Sequence, residues 1–188
     1  MRLARGSGVD GMSGIRARNG HIIRPLLEFT KAELETICAN AGIEPVRDPS
    51  NDDSEFDRVV MRQWLATEDH PFSPTRTQRT AFALADASEA LGWVAAQLQA
   101  QRMTADDSGV ALDANNLPAE LQRRLLLAAL RAVQADANPR GEALDRLLTA
   151  LQNGERVSSG HVDCIGGDIW RFRDASPARA RPAGRNPP

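Results

Sequence analysis

The sequence predicts an α/β segment followed by a mainly α-helical domain that closes on a β-hairpin. Three observations lead there. Between residues 21 and 46 a short apolar run, a helical pattern and a second short run follow one another, the order of an α/β unit. After "TEDHPFSP", where Pro71 and Pro74 bracket a polar stretch, apolar residues recur at helical spacing as far as Gly154. Finally "HVDCIGGDIWRF" alternates around Gly166-Gly167, which is hairpin patterning.

"RLARGSGVDGMSGI", residues 2–15, holds four glycines and two arginines. A Gly-rich run beside Arg presents backbone N–H groups to anions, although a surface turn explains it as well in isolation. "HIIRPLL" suits an exposed or terminal strand, because Pro25 cannot donate to a ladder. Thr30 with Glu33 forms a capping box, and Gly42 stands where the helix would stop. Leu34, Ile37, Cys38 and Ala41 share one face, so this helix is expected to pack on a sheet. "IEPV" reads as a brief strand and "RDPSNDDS" as turn chemistry.

A helix is expected from about Glu55 to Ala66, capped by Ser54. Phe56, Val59, Val60 and Trp64 gather on one side of it, and Arg58 and Arg62 project from the other. By itself that pair is an ordinary solvated face. A long helix from Thr75 to about Met103 offers Phe82, Leu91, Val94 and Leu98 to a core. Pro118 opens a second, to about Ala135, whose stripe is Leu121, Leu125, Ala128, Ala129 and Val133. A third, Gly141 to Asn153, buries Leu144, Leu147, Leu148 and Leu151.

The chain has 188 residues with a net charge of −2, unevenly distributed. Arg2, Arg5, Arg16, Arg18 and Arg24 face a lone Asp10 in the opening segment, and Arg179, Arg181 and Arg185 follow the last acid, Asp174. The only cysteines, Cys38 and Cys164, are too few for a disulfide framework and indicate the cytoplasm. His161 and Cys164 form an H-x-x-C pair, but zinc needs three or four ligands and no second pair exists. No metal ligand is assigned. No apolar window reaches the ~18 residues of a membrane span, so no membrane partner is expected.

"RGSGVDGMSGI", "IIRPLLEFTKAELE" and "DPSNDDSEFDRVVMR", in that order and spacing, resemble the latter part of the catalytic domain of the tRNA(Ile)-lysidine synthase family. The helical region resembles that family's substrate-binding domain. The resemblance implies three parts: residues 1–68 as the C-terminal portion of a PP-loop, adenine-nucleotide hydrolase-like catalytic domain, 69–176 as a helical tRNA-binding domain, and 177–188 as a disordered tail. It also implies an ATP-dependent carbon–nitrogen ligase. ATP, with Mg²⁺ at the phosphates, activates the wobble cytidine of a tRNA(Ile) with a CAU anticodon. Free L-lysine then displaces AMP to give lysidine, and codon reading changes from AUG to AUA. A homodimer is compatible with this reading.

The residue roles are carried over with the motifs. Arg5 with Gly6, Ser7 and Gly8 matches the family's Arg-Gly loop and would lie beside the nucleotide. Arg62 matches the last arginine after the D-x-S-N turn and is assigned to ATP phosphates or tRNA, so Arg5 and Arg62 are the catalytic candidates. Arg24, Arg58 and Arg62 are the tRNA-binding candidates, and Asp48 and Asn51 would hold the turn. Guanidinium groups suit this work because activation places negative charge on an α-phosphate and a leaving pyrophosphate. Where the family carries Asn and another basic residue between the two arginines, this chain has Val59 and Val60.

The sequence contains neither the S-G-G-x-D-S loop nor the H-H-x-x-D-x-x-E-T segment of the family. The chain is therefore expected to be amino-terminally shortened and inactive alone. Its helix near residues 30–41 would lack a sheet, at about 2 kcal/mol for each large apolar side chain left in water. The first 65 residues are expected to be poorly ordered alone, whereas the helical domain could fold independently. Two other readings stay open: a non-catalytic tRNA-binding module, and another PP-loop tRNA-modifying enzyme. The second ranks lower because tRNA thiolases depend on paired cysteines.

Overall fold

The computed structural model describes residues 2–46, 48, 53, 55, 57–67 and 70–175. The chain divides into two compact units, 1–89 and 90–188, and each is considered by itself.

The first unit opens with a 3-10 turn, Leu3–Arg5, and a short helix α1, Val9–Met12. Strands β1 (Arg18–Asn19) and β2 (Ile22–Ile23) pair antiparallel. Helices α2 (Lys31–Asn40) and α3 (Asp57–Leu65) follow, and α4, Pro74–Arg102, begins here and continues into the second unit. The capping box of α2 forms as expected. The Glu33 backbone N–H donates to Thr30 Oγ1 at 3.3 Å, and Glu33 Oε2 accepts from the Thr30 N–H at 2.7 Å. These donors hold the Glu33 carboxyl below its ordinary range.

Helix α2, whose apolar face suits a sheet, buries none of its side chains and leaves Ile37 exposed, as expected for that helix without its sheet. Several expectations for this unit need correction. Residues 43–46 form no strand, so the strand–helix–strand order is not completed, and Val46 is 96% exposed. The reason is shared. Pro45 removes a ladder donor, and a strand gains nothing without a neighbour to pair with. In α3 only Val59 is buried, while Val60 and Trp64 remain exposed. Phe56 and the proposed cap Ser54 lie outside the described residues. Phe82 on α4 is 57% exposed instead of being a core residue, whereas Leu91, Val94 and Leu98 are half-buried. Among the described residues, every large apolar side chain with substantial exposure lies in the first unit except Trp93 and Ile169.

The second unit has a true core. After α4 come β3 (Met103–Asp106), β4 (Gly109–Leu112), α5 (Ala119–Val133), α6 (Glu142–Gln152), β5 (Arg156–Ser159), β6 (Val162–Ile165) and β7 (Trp170–Asp174). The strands form one five-stranded antiparallel sheet in the order β3-β4-β7-β6-β5. Its inner face presents Val110, Leu112, Val162, Cys164, Trp170 and Phe172 to the leucines of α5 and α6. On α6 those leucines are the expected Leu144, Leu147, Leu148 and Leu151. On α5 they include Leu126 and Leu130, which widen the anticipated stripe.

The closing hairpin is present as β6–β7, but a mainly helical domain is too coarse a description: β3, β4 and β5 complete a sheet. Strand β4 approaches β7 so closely that a Cβ on Gly109 would collide with the carbonyl oxygen of Phe172, and Gly109 also has φ +129°. Only glycine satisfies both conditions.

Cys164 is fully buried on β6, and burial pushes its thiol up to about 12. Cys38 is half-buried on α2. A thiol-specific disulfide reagent at about pH 8 is therefore expected to titrate Cys38 in the native protein and Cys164 only after unfolding, since the thiolate is the reactive form. Equal native reactivity of the two thiols would contradict this packing.

Candidate functional site

The Arg-Gly loop at residues 5–8 is shaped by its own sequence. Gly6 ends the 3-10 turn in the left-handed region, φ 66°, and its N–H donates to the Leu3 carbonyl at 3.0 Å. Gly11 has no room for a side chain, because a Cβ there would lie 2.6 Å from that of Ser7. Gly8 is different. Its φ of −73° suits any residue and an added Cβ would meet nothing, so the chain's own packing does not require glycine at this point. The backbone there stays open to close approach from outside.

Arg2 fastens the loop, its Nη1 donating to the carbonyls of Gly11 at 2.6 Å and Gly14 at 3.1 Å. Ser88 of α4 is buried and joins Asp10 and Arg16: its hydroxyl donates to Asp10 Oδ1 and accepts from Arg16 Nη2 at 2.9 Å. Ser13 is also buried and donates to the Asp10 carbonyl at 2.7 Å. Residues 10–16 are thus tied to Ser88, more than 70 positions along the chain. The partnerships of Arg2 and Ser88 have no local sequence signal, and only the presence of Arg2, Asp10 and Arg16 was legible.

Arg5 points at α3. Its Nη2 meets Asp57 Oδ2 at 2.6 Å, with both side chains largely in water. A depression of about 380 Å³ lies beside this pair, lined by Ala4, Arg5, Asp57, Val60, Met61 and Trp64. Val60, which departs from the family pattern, forms part of its apolar wall. Trp64 also contacts His70 and Phe72, with ring centroids 5.5 and 5.8 Å away. The His70 ring is held by the Phe72 N–H at Nδ1 and by the Leu65 carbonyl at Nε2. Asp57 and this aromatic group were not foreseen.

The loop and the helix carrying the arginine pair therefore meet through the Arg5–Asp57 contact. Arg58 and Arg62 are exposed on α3, and Arg62 occupies its last turn. Arg24 is half-buried, and its Nη1 donates to the Arg16 carbonyl at 3.1 Å, which ties it to the β1–β2 hairpin. Asp48 is exposed, and Asn51 lies outside the described residues, as does the tail from residue 177. Among the described residues no cluster of three or more His, Cys, Asp and Glu side chains could hold a metal ion. In addition, no described helix is long and apolar enough to cross a membrane.

Residues 1–69 match the family model of a PP-loop domain. The chain is 34% identical over 187 residues to a curated protein of Zymomonas mobilis named tRNA(Ile)-lysidine synthase, covering 95% of this chain and 56% of that protein. A protein of the same name from Novosphingobium aromaticivorans is 34% identical, with 96% and 57% covered. One from Thermobifida fusca is 32% identical, with 93% and 55% covered. The chain thus spans about half the length of the curated relatives it matches. The likeness runs through both units and includes the loop and helix just described. Over almost its whole length the chain is thus similar to part of proteins named tRNA(Ile)-lysidine synthase, with a PP-loop domain match over its first 69 residues.

Proposed function

We propose that the chain forms part of an ATP-dependent carbon–nitrogen ligase that joins L-lysine to the wobble cytidine of a tRNA(Ile) with a CAU anticodon. The observation that carries this reading is the Arg-Gly loop held against α3 within a likeness covering almost the whole chain. In this assignment Arg5 and the backbone of Gly6, Ser7 and Gly8 face the phosphates of ATP, where activation of the cytidine carbonyl develops negative charge. The openness at Gly8 and the exposed guanidinium of Arg5 fit an anion brought close to the main chain. Arg62 serves the phosphates or the tRNA backbone, Arg58 and Arg24 serve tRNA, and Asp48 with Asn51 holds the intervening turn. Mg²⁺ would be held largely by the ATP phosphates and water, and no ligand in this chain is assigned to it. Residues 1–68 belong to the catalytic part and 69–176 to the tRNA-binding part.

The test replaces the matched stretch of the Zymomonas mobilis relative with these 188 residues. Given ATP, labelled lysine and a transcript with a CAU anticodon, the chimera is expected to attach lysine to the RNA and release AMP. The chain by itself is expected to do neither. A folded chimera that binds tRNA and ATP yet transfers no lysine would overturn the assignment, as would turnover by the isolated chain overturn its incompleteness.

A further inference from the structure

Among the described residues of the second unit, the five-stranded sheet has one face covered by helices and one bare of them. Helices α5 and α6 pack on the face that holds Phe172 and Cys164. On the opposite face, strand alternation and the pairing register bring together Arg171 and Arg173 of β7, Arg156 of β5 and Thr104 of β3. Arg171 and Arg173 are both exposed.

The carboxylates on this face are already engaged. Asp163 takes Arg156 in a two-pronged contact, at 2.9 and 2.8 Å, and Asp106 accepts from the Ser108 N–H at 2.8 Å and its hydroxyl at 2.6 Å. Arg171 and Arg173 lie near these acids and make no ion pair within 4 Å with them among the described residues. The Arg173 stem crosses Gly109, where an added Cβ would stand 3.2 Å from its Cγ. Two shallow depressions flank the strand, about 660 Å³ and 230 Å³, and Arg173 lines both.

We propose that this helix-free face, through Arg171 and Arg173, seats the phosphate backbone of tRNA. Side chains at i and i+2 of a strand project together about 6.6 Å apart, a separation that lets two guanidinium groups engage neighbouring phosphates. Phosphate contacts draw on Arg together with Ser and Thr hydroxyls, which Thr104 and Ser158 supply here. No aromatic side chain stands on this face of the described strands, so it reads backbone and not bases. The sequence beyond β7 carries Arg179, Arg181 and Arg185 with no acid after Asp174. The proposal rests on the reading of tRNA as substrate, and it assigns a face that the sequence motifs do not mark.

The experiment measures binding of the full chain to a CAU-anticodon tRNA transcript by filter retention across a salt series. Arg171→Ser with Arg173→Ser is compared with Arg140→Ser with Arg146→Ser, an equal charge change away from this face. Native folding is confirmed for each by the unreactive Cys164. The sheet variant is expected to lose about tenfold or more in affinity and about two units of salt slope, one for each lost phosphate contact, while the control stays within about twofold of the parent. Salt-dependent binding by the parent that the sheet variant retains would overturn the face and leave the tRNA reading intact. Equal losses in both variants would likewise overturn the face, as diffuse attraction. Absence of salt-dependent tRNA binding by the parent would remove the tRNA reading itself.

Discussion

Phe172→Ala is expected to destabilise the second unit by about 4 kcal/mol, the cost of deleting a ring from a closed core. Phe172 is fully buried at the middle of the central strand β7, paired to Val110 on one side and Cys164 on the other. Leu125, Leu126, Leu130 and Leu151 are also fully buried around the same core, so the vacated volume has little freedom to collapse. In a unit of this size that loss lowers the melting temperature by roughly 20 °C. Phe172→Leu keeps most of the volume and is expected to cost about 1 kcal/mol. Urea unfolding followed by far-ultraviolet circular dichroism measures both. An alanine variant within about 1 kcal/mol of the parent would mean that the sheet does not carry the core.

Arg5→Ala separates a structural arginine from one that stabilises charge. As a structural contact, the Arg5–Asp57 pair is exposed on both sides, and exposed pairs contribute about 0–1 kcal/mol. The substitution should therefore leave the fold and the melting temperature nearly unchanged. If Arg5 faces the phosphates in the chimera described above, ligation should fall about 10² to 10³-fold, as when one preorganised donor to developing charge is removed. Asp57→Asn completes the comparison. It removes the competing carboxylate without touching the guanidinium, so ATP-dependent turnover should be kept or raised. Equal, small losses in Arg5→Ala and Asp57→Asn would reduce the contact to a loop fastening and take Arg5 out of the chemistry.

The sequence was most informative where order follows from neighbouring residues. The capping box of α2 and the four leucines of α6 appear as read, and α4 and α5 begin within one residue of the expected starts, at Pro74 and at Ala119 with Pro118 as its N-cap. It was least informative where strands are short and poor in β-branched residues. In "MTADDSGVAL" the pairing of β3 with β4 is fixed by the Asp106–Ser108 turn and by β7, which lies far along the chain. At the candidate site the Arg-Gly loop and the arginines of α3 were visible as residues. Their meeting through Asp57, across 52 positions, was not.

The likeness to the named relatives, the charge placement and the helices with strong local signals were all legible in the residues, because motif order and apolar period are written in their spacing. Tertiary structure alone decided that Arg5 reaches Asp57, that Ser88 joins Asp10 and Arg16, and that β3, β4 and β5 complete a sheet with one bare arginine face. Those outcomes depend on which distant segments come into contact, and long-range pairing is selected by the burial and register of the whole unit, not by any local run of residues.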